Sequence, residues 1–188
     1  MHRVKYLLSL LSLPTLVFAE PVVETNIKYY EIQGSSPYEL RHQLDDKSPV
    51  ILDGERLDAD TEWDVHWNFK WSESKNQCKI DSVTTRVNVE YTLPEWVNRD
   101  TSRRRLREKW DRYYTALKEH EKGHKDIGFE AAYDIEEAIA AMKPEAHCQK
   151  LEKQANALAE SIIHQYVKRD KKYDRITRHG LDQGATFP

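Results

Sequence analysis

Two stretches in the front half of the chain alternate apolar and polar residues with the period of a β-strand. Between Trp63 and Trp71, the residues Val65, Trp67, Phe69 and Trp71 share one side, while Asp64, His66, Asn68 and Lys70 share the other. From Val83 to Leu93 the apolar side carries Val83, Thr85, Val87, Val89, Tyr91 and Leu93. Alternate side chains of a strand point to opposite faces. With a polar stretch at Ser72–Gln77 between them, the two runs predict an antiparallel hairpin with one buried face. Pro94 predicts the end of the second strand, because it has no N–H for a ladder. A further strand is predicted over Asn26–Gln33, from Ile27, Tyr29, Tyr30 and Ile32. A short helix, Tyr38–Leu44, should follow, with Ser36 as N-cap and Pro37 at the first helical position.

Beyond Pro94 the apolar period changes from two to that of a helix. Leu106, Trp110, Tyr113, Tyr114 and Leu117 recur at steps of three and four. His120 and His124 continue the same face, and Ala131, Ile135, Ile139 and Met142 extend it. This predicts a helix from Ser102 to Met142, capped by Asp100, Thr101 or Ser102 and ended by Pro144. At roughly 40 residues it is long for a straight globular helix, so a break or kink is expected. Gly123 and Gly128 lie in its interior, where glycine costs about 1 kcal/mol against alanine. They imply a close approach by a neighbour, or room over a site. A last helix is predicted over Glu145–Val167, with Leu151, Leu158, Ile162 and Tyr166 inward. Tyr173–Pro188 reads as a tail whose loop brings Asp174 and His179 to a site elsewhere, or as a frayed terminus. The fold class is therefore α+β: a small antiparallel sheet packed against long helices.

The first nineteen residues change the setting. A basic start (Arg3, Lys5), an apolar run from Tyr6 to Phe18 and a small residue at Ala19 make a secretory signal peptide. The run is too short for an ordinary membrane span. Residues 20–188 then form a single expected domain, periplasmic or secreted, with no stable membrane insertion after cleavage. Removing Arg3 and Lys5 leaves 27 of the 29 basic side chains against 32 acidic ones, a formal charge of −5. That balance argues against a nucleic-acid partner, and Arg103-Arg104-Arg105 reads as a solvated face. Two cysteines in an exported chain most often pair. A Cys78–Cys148 bridge would enclose residues 79–147, worth roughly 4 kcal/mol at most in the chain-entropy model. The alternative, Cys148 and His147 on a metal ion, lacks a second Cys/His pair at finger spacing.

The chemistry lies in His120-Glu121-Lys122-Gly123-His124, which reads H-E-x-x-H. Histidines four apart stand one turn above each other on a helix, so two imidazoles can reach one zinc ion. The glutamate can face a zinc-bound water as general base. Both histidines fall on the inward stripe, where an imidazole pair needs partners; a buried structural pair would satisfy that too. The extended pattern with a third histidine is absent, since position 127 is isoleucine and position 130 is glutamate. Glu136, Glu137 and Glu145 are candidates for a glutamate ligand on a downstream helix, and no second motif picks one of them. His66 and His164 lie off the apolar stripes and read as surface residues.

With these residues in hand, the chain resembles a bacterial family, domain of unknown function 922, described as secreted zinc-dependent proteases. The resemblance rests on His120-Glu121-Lys122-Gly123-His124 with its internal glycine. It rests equally on Tyr173-Asp174, Thr177, His179-Gly180 and Gln183-Gly184, and it spans the mature chain. It implies a zinc peptidase-like domain acting on a peptide or protein substrate. In that reading His120 and His124 bind zinc. His179 is the first choice for third ligand and Asp174 the second, and either could instead orient a histidine. Glu121 is the base, and Tyr173 is either a hydrogen-bond donor to the oxyanion or a packing residue. A non-catalytic envelope protein with structural zinc or no metal is the alternative, and an amidase of cell-wall peptides a third.

Overall fold

A computed structural model describes residues 20–52 and 54–188. The expected signal peptide, residues 1–19, lies outside the described residues. Strand β1 (Val22–Ile32) leads into helix α1 (Pro37–Lys47), a small hairpin of β2 (Ile51–Leu52) and β3 (Glu55–Arg56), and then two long strands, β4 (Asp60–Ser74) and β5 (Gln77–Trp96). Helices α2 (Arg104–Ala140) and α3 (Cys148–Thr177) complete the α+β fold.

The predicted hairpin is β4–β5, paired antiparallel from Asp60↔Thr92 to Ser74↔Gln77 with a register shift between Lys70 and Trp71. β5 is the central strand of a three-stranded sheet, in the order β1-β5-β4. β1 runs parallel to β5, from Val22↔Arg86 to Ile32↔Trp96, so the sheet is mixed rather than wholly antiparallel. Parallel strands need a crossover connection, and the whole segment from α1 through β4 supplies it. Pro94 does not end β5. Pairing with β4 begins at Thr92, so beyond it only the β1 side of β5 is occupied and a missing N–H is tolerated.

α1 forms as its signals predict: Ser36 Oγ accepts from the Glu39 N–H at 3.2 Å, and Pro37 occupies the first turn. α2 runs for 37 residues as one helix, where a break was expected. Its cap also differs, because Asp100, Thr101 and Ser102 fall in or beside a 3-10 turn and the N-cap is Arg103. α3 continues ten residues past Val167, to Thr177. The charged run Lys168–Lys172 hides the helical period there, yet these are good helix formers. Tyr173 and Asp174 consequently stand on a helix and not on a loop.

Two apolar clusters hold the sheet to α2. One gathers Ile32, Leu40, Leu44, Trp96, Trp110 and Phe187 around α1 and the start of α2. The other packs the β4–β5 valines on Ala131, Ala132, Ile135 and Ile139 of α2 and on Ala155 and Ala159 of α3. Trp63, Trp67 and Phe69 pack against this second cluster, whereas Trp71, expected on the same buried side, lies past the register shift and is 38 % exposed. The Cys78–Cys148 disulfide is formed and ties the start of β5 to the start of α3. Among the described residues, no helix is long and apolar enough to cross a membrane.

Candidate metal centre

Between the two apolar clusters, α2 presents a buried polar turn: His120 at 3 % exposure, Glu121 at 3 % and His124 at 5 %. α3 lies antiparallel beside it and brings Asp170, Tyr173 and Asp174. The close approach explains both mid-helix glycines. A Cβ at Gly123 would lie 2.3 Å from the Tyr173 hydroxyl, and one at Gly128 would lie 2.8 Å from Cγ of Trp63. Aromatic rings rest on the helix where side chains are missing. Tyr173 also stacks on His120, ring centroids 5.0 Å apart.

Three donor atoms converge here. His120 Nε2 and His124 Nε2 are 3.4 Å apart, and Asp174 Oδ1 lies 3.2 Å from the first and 3.0 Å from the second. Around a tetrahedral ion with bonds of about 2.0–2.1 Å the ligand–ligand edge is about 3.3 Å. The group could therefore hold a metal ion. The outward ring nitrogens are also held. His120 Nδ1 is 2.8 Å from the Gln183 amide oxygen, and His124 Nδ1 is 2.8 Å from Asp170 Oδ1. Oxygen acceptors at both Nδ1 atoms put a hydrogen on each, which leaves the two Nε2 atoms, facing Asp174, as the nitrogens that would bind a metal ion. Asp170 is itself fixed by the Trp63 indole N–H at 3.1 Å.

His179 stands at the edge of the group, its Nδ1 3.4 Å from Asp174 Oδ1 and its side chain 37 % exposed. After α3 the backbone turns through three left-handed residues, Arg178, His179 and Gly180, with φ of 51°, 51° and 80°. Two of these are not glycine, a conformation that costs of order 1 kcal/mol or more each. The turn swings the chain back over α2, where Gly180 touches His120 and Phe187 enters the core. Tyr173 does not aim its hydroxyl at the donor group: it bonds the His120 carbonyl at 3.3 Å and the Gln183 amide at 3.0 Å.

Glu121 points into the neighbouring cleft, with Thr61 Oγ1 donating to its Oε2 at 2.6 Å. Burial pushes this carboxyl up, against the Thr61 hydrogen bond and the two imidazoles. Burial also disfavours charge on His124, but Asp170 and Asp174 outweigh it and push the imidazole up to about 10. Asp174, despite burial, is held well below the usual carboxylate range by hydrogen bonds to His120 and His124. The cleft measures about 300 Å³ and is walled by the segment Glu55–Asp60, by α2 and by His179 and Leu181. A larger hollow, about 790 Å³, is lined by Thr61, Trp63 and Asp170 but reaches none of the imidazoles.

The downstream glutamates do not join the group. Glu136 is buried and accepts from Thr85 at 2.9 Å in the second apolar cluster, and Glu145 pairs with Lys150. Glu137 is exposed. His66 pairs with Asp64 on the open face of the sheet, and His164 is exposed. Sequence reasoning passed over Asp170, Thr61 and the bonding role of Gln183. Asp170 had a signal: it precedes Asp174 by one helical turn, as His120 precedes His124. Thr61 had none, because only the folded sheet brings it to Glu121.

Fold and site together define an α+β protein with an H-E-x-x-H helix whose two histidines meet a carboxylate from a second helix. Residues 27–180 match the model of a family described as "Bacterial protein of unknown function (DUF922)", and the chain belongs to that family. No curated protein and no solved structure matches it.

Proposed function

We propose that this chain is an exported zinc-dependent peptidase. The observation that carries the reading is the convergence of His120 Nε2, His124 Nε2 and Asp174 Oδ1 within 3.4 Å of one another, beside a buried glutamate that opens on a cleft. Two imidazoles and a carboxylate are a donor set that suits zinc, with one position left for a reactant. A zinc ion in this set supplies Lewis acidity, polarising a carbonyl and acidifying water.

The chain's own residues do the rest. Thr61 occupies Oε2 of Glu121 and leaves Oε1 to take a proton from water and return it to the leaving amine. Burial raises the basicity of that carboxylate, which suits the task. Asp170 and Gln183 fix the imidazole tautomers. His179, partly exposed on the cleft, is the group available to hydrogen-bond a developing oxyanion. Tyr173 positions, through its stacking on His120 and its place next to Asp174. The Cys78–Cys148 bridge fits an oxidising compartment, periplasmic or extracellular.

One distance favours a second reading. His179 Nδ1 lies 3.4 Å from Asp174 Oδ1, close enough to supply a fourth donor. Four protein ligands would make a structural zinc and a non-catalytic protein. Metal analysis of residues 20–188 together with cleavage of a casein or peptide library separates the two. The peptidase reading expects about one zinc per chain, cleavage abolished in Glu121→Gln with zinc retained, and zinc retained in His179→Ala. Zinc lost in His179→Ala, with no cleavage by the wild type, establishes the structural site. A folded wild type that binds no zinc overturns both.

A further inference from the structure

Asp60 lies on the cleft wall, and the mechanism above leaves it unused. It opens β4, one residue before Thr61, and lines the cleft with His120, His124 and Asp174. Its position is rigidly set from both sides. Two residues earlier, Asp58 takes a two-armed bond from the Arg41 guanidinium, while the Tyr113 hydroxyl donates to it at 2.7 Å and the Tyr30 hydroxyl donates to its carbonyl at 2.6 Å. On the other side Thr61 is bonded to Glu121.

The arginines on this wall are already engaged. Arg41 answers Asp58 and Asp45, Arg178 answers Asp182, and Arg56 donates to the Ser48 carbonyl beside its neighbour Glu55. Asp60, among the described residues, has no side-chain hydrogen bond and no ion pair; the Thr61 N–H alone faces it. Burial, Glu62 and Asp174 all disfavour its charge, with His124 opposing them. A half-buried carboxylate without a cation is incomplete. Asp60 borders the cleft and also a second hollow, whose Lys28 is already held by Glu90; of the two, the cleft adjoins the histidine pair.

We propose that Asp60 is a specificity-determining residue that receives a positively charged group of the substrate beside the scissile bond. The inference rests on the peptidase reading. The cationic group is an ammonium or guanidinium, and two parts of a peptide provide one: a lysine or arginine side chain, or a free amino terminus. A charge-assisted bond to a fixed carboxylate in a partly dehydrated cleft discriminates strongly against a neutral or acidic replacement.

The test compares kcat/KM on matched fluorogenic peptides. One set varies a single position among lysine, acetyl-lysine and glutamate; a second varies the amino terminus between free and acetylated. Wild type, Asp60→Asn and Asp60→Lys are each assayed, with zinc content measured on every protein. The expectation is at least a tenfold preference for the cationic member of one set, which identifies the source of the cation. The ratio should fall to about one in Asp60→Asn and invert towards glutamate or the acetylated terminus in Asp60→Lys. A merely structural role would change rates without changing these ratios. Cleavage by the wild type with no charge preference, or a preference that survives Asp60→Asn, overturns the assignment and leaves the peptidase reading standing. No cleavage of any peptide by a zinc-loaded wild type overturns both.

Discussion

Replacing Gly123 by alanine tests why a glycine stands in the middle of a 37-residue helix. In an open helix interior that change stabilises by about 1 kcal/mol. Here the added Cβ would lie 2.3 Å from the hydroxyl oxygen, 2.5 Å from Cζ and 2.8 Å from Cε1 of Tyr173. The ring cannot yield as a flexible tip would, because it stacks on His120 and its hydroxyl is bonded at the helix backbone and to Gln183. Overpacking of this kind costs about 1–3 kcal/mol. Set against the helix gain, Gly123→Ala should cost about 0–2 kcal/mol, roughly 0–8 °C in Tm for a chain of this size. Once the ring is removed, the sign should reverse. In a Tyr173→Ala background Gly123→Ala should stabilise by about 1 kcal/mol, a coupling of about 1–3 kcal/mol. Urea unfolding of the four proteins in chelator measures the cycle. The same effect in both backgrounds, or a gain in the wild type, would refute the account.

Asp170→Asn should weaken zinc about 10–100-fold while the fold persists, read by competition against a fluorescent chelator. Thr61→Val strips Glu121 of its hydroxyl donor and should cost about 1–3 kcal/mol, measured by urea unfolding. Replacing both Cys78 and Cys148 by serine should cost roughly 4 kcal/mol at most; an unchanged Tm would show that the bridge constrains little. The pH dependence of the chelator-treated protein has a definite sign. The folded His124 sits at about 10, above an unfolded histidine at about 6.5, so its stabilising contribution is complete below the lower value. Stability should fall as pH rises from there through the upper one, and Asp170→Asn should shrink that fall; a rise over this window would contradict the pairing.

What the sequence shows most clearly is whatever repeats. The period-two runs of β4 and β5, the three-and-four steps of α2 and the cap at Ser36 each state their structure locally. Three features resist such reading. The parallel placement of β1 depends on which edge of β5 is free, a property of the assembled sheet. The last ten residues of α3 carry a period blurred by Lys168–Lys172, and that blur moved Asp174 from helix to tail. His179 looked attractive beside a glycine on that supposed tail, whereas Asp174, one turn beyond Asp170, faces both imidazoles directly. Glu121 and the histidine pair were visible from spacing alone, but Thr61 and Gln183 reach them across 60 and 63 residues, and no local pattern encodes such distances.

The histidines and aspartates also give the two long helices their phase. Much of the packing between α2 and α3 runs through alanines, Ala131 and Ala132 with Ala155 and Ala159, which offer low ridges and little resistance to sliding. At one end of this smooth track stands a short ladder: two histidines one turn apart on α2, two aspartates one turn apart on α3, three rungs between them. Displacing α3 by one turn, about 5.4 Å, would leave rungs unmatched and a charge stranded in a dry interior. The ladder works as a vernier, admitting one alignment of two rods that would otherwise tolerate several. Alanine scanning of these four residues therefore perturbs alignment along with chemistry, and isosteric changes such as Asp→Asn separate the two.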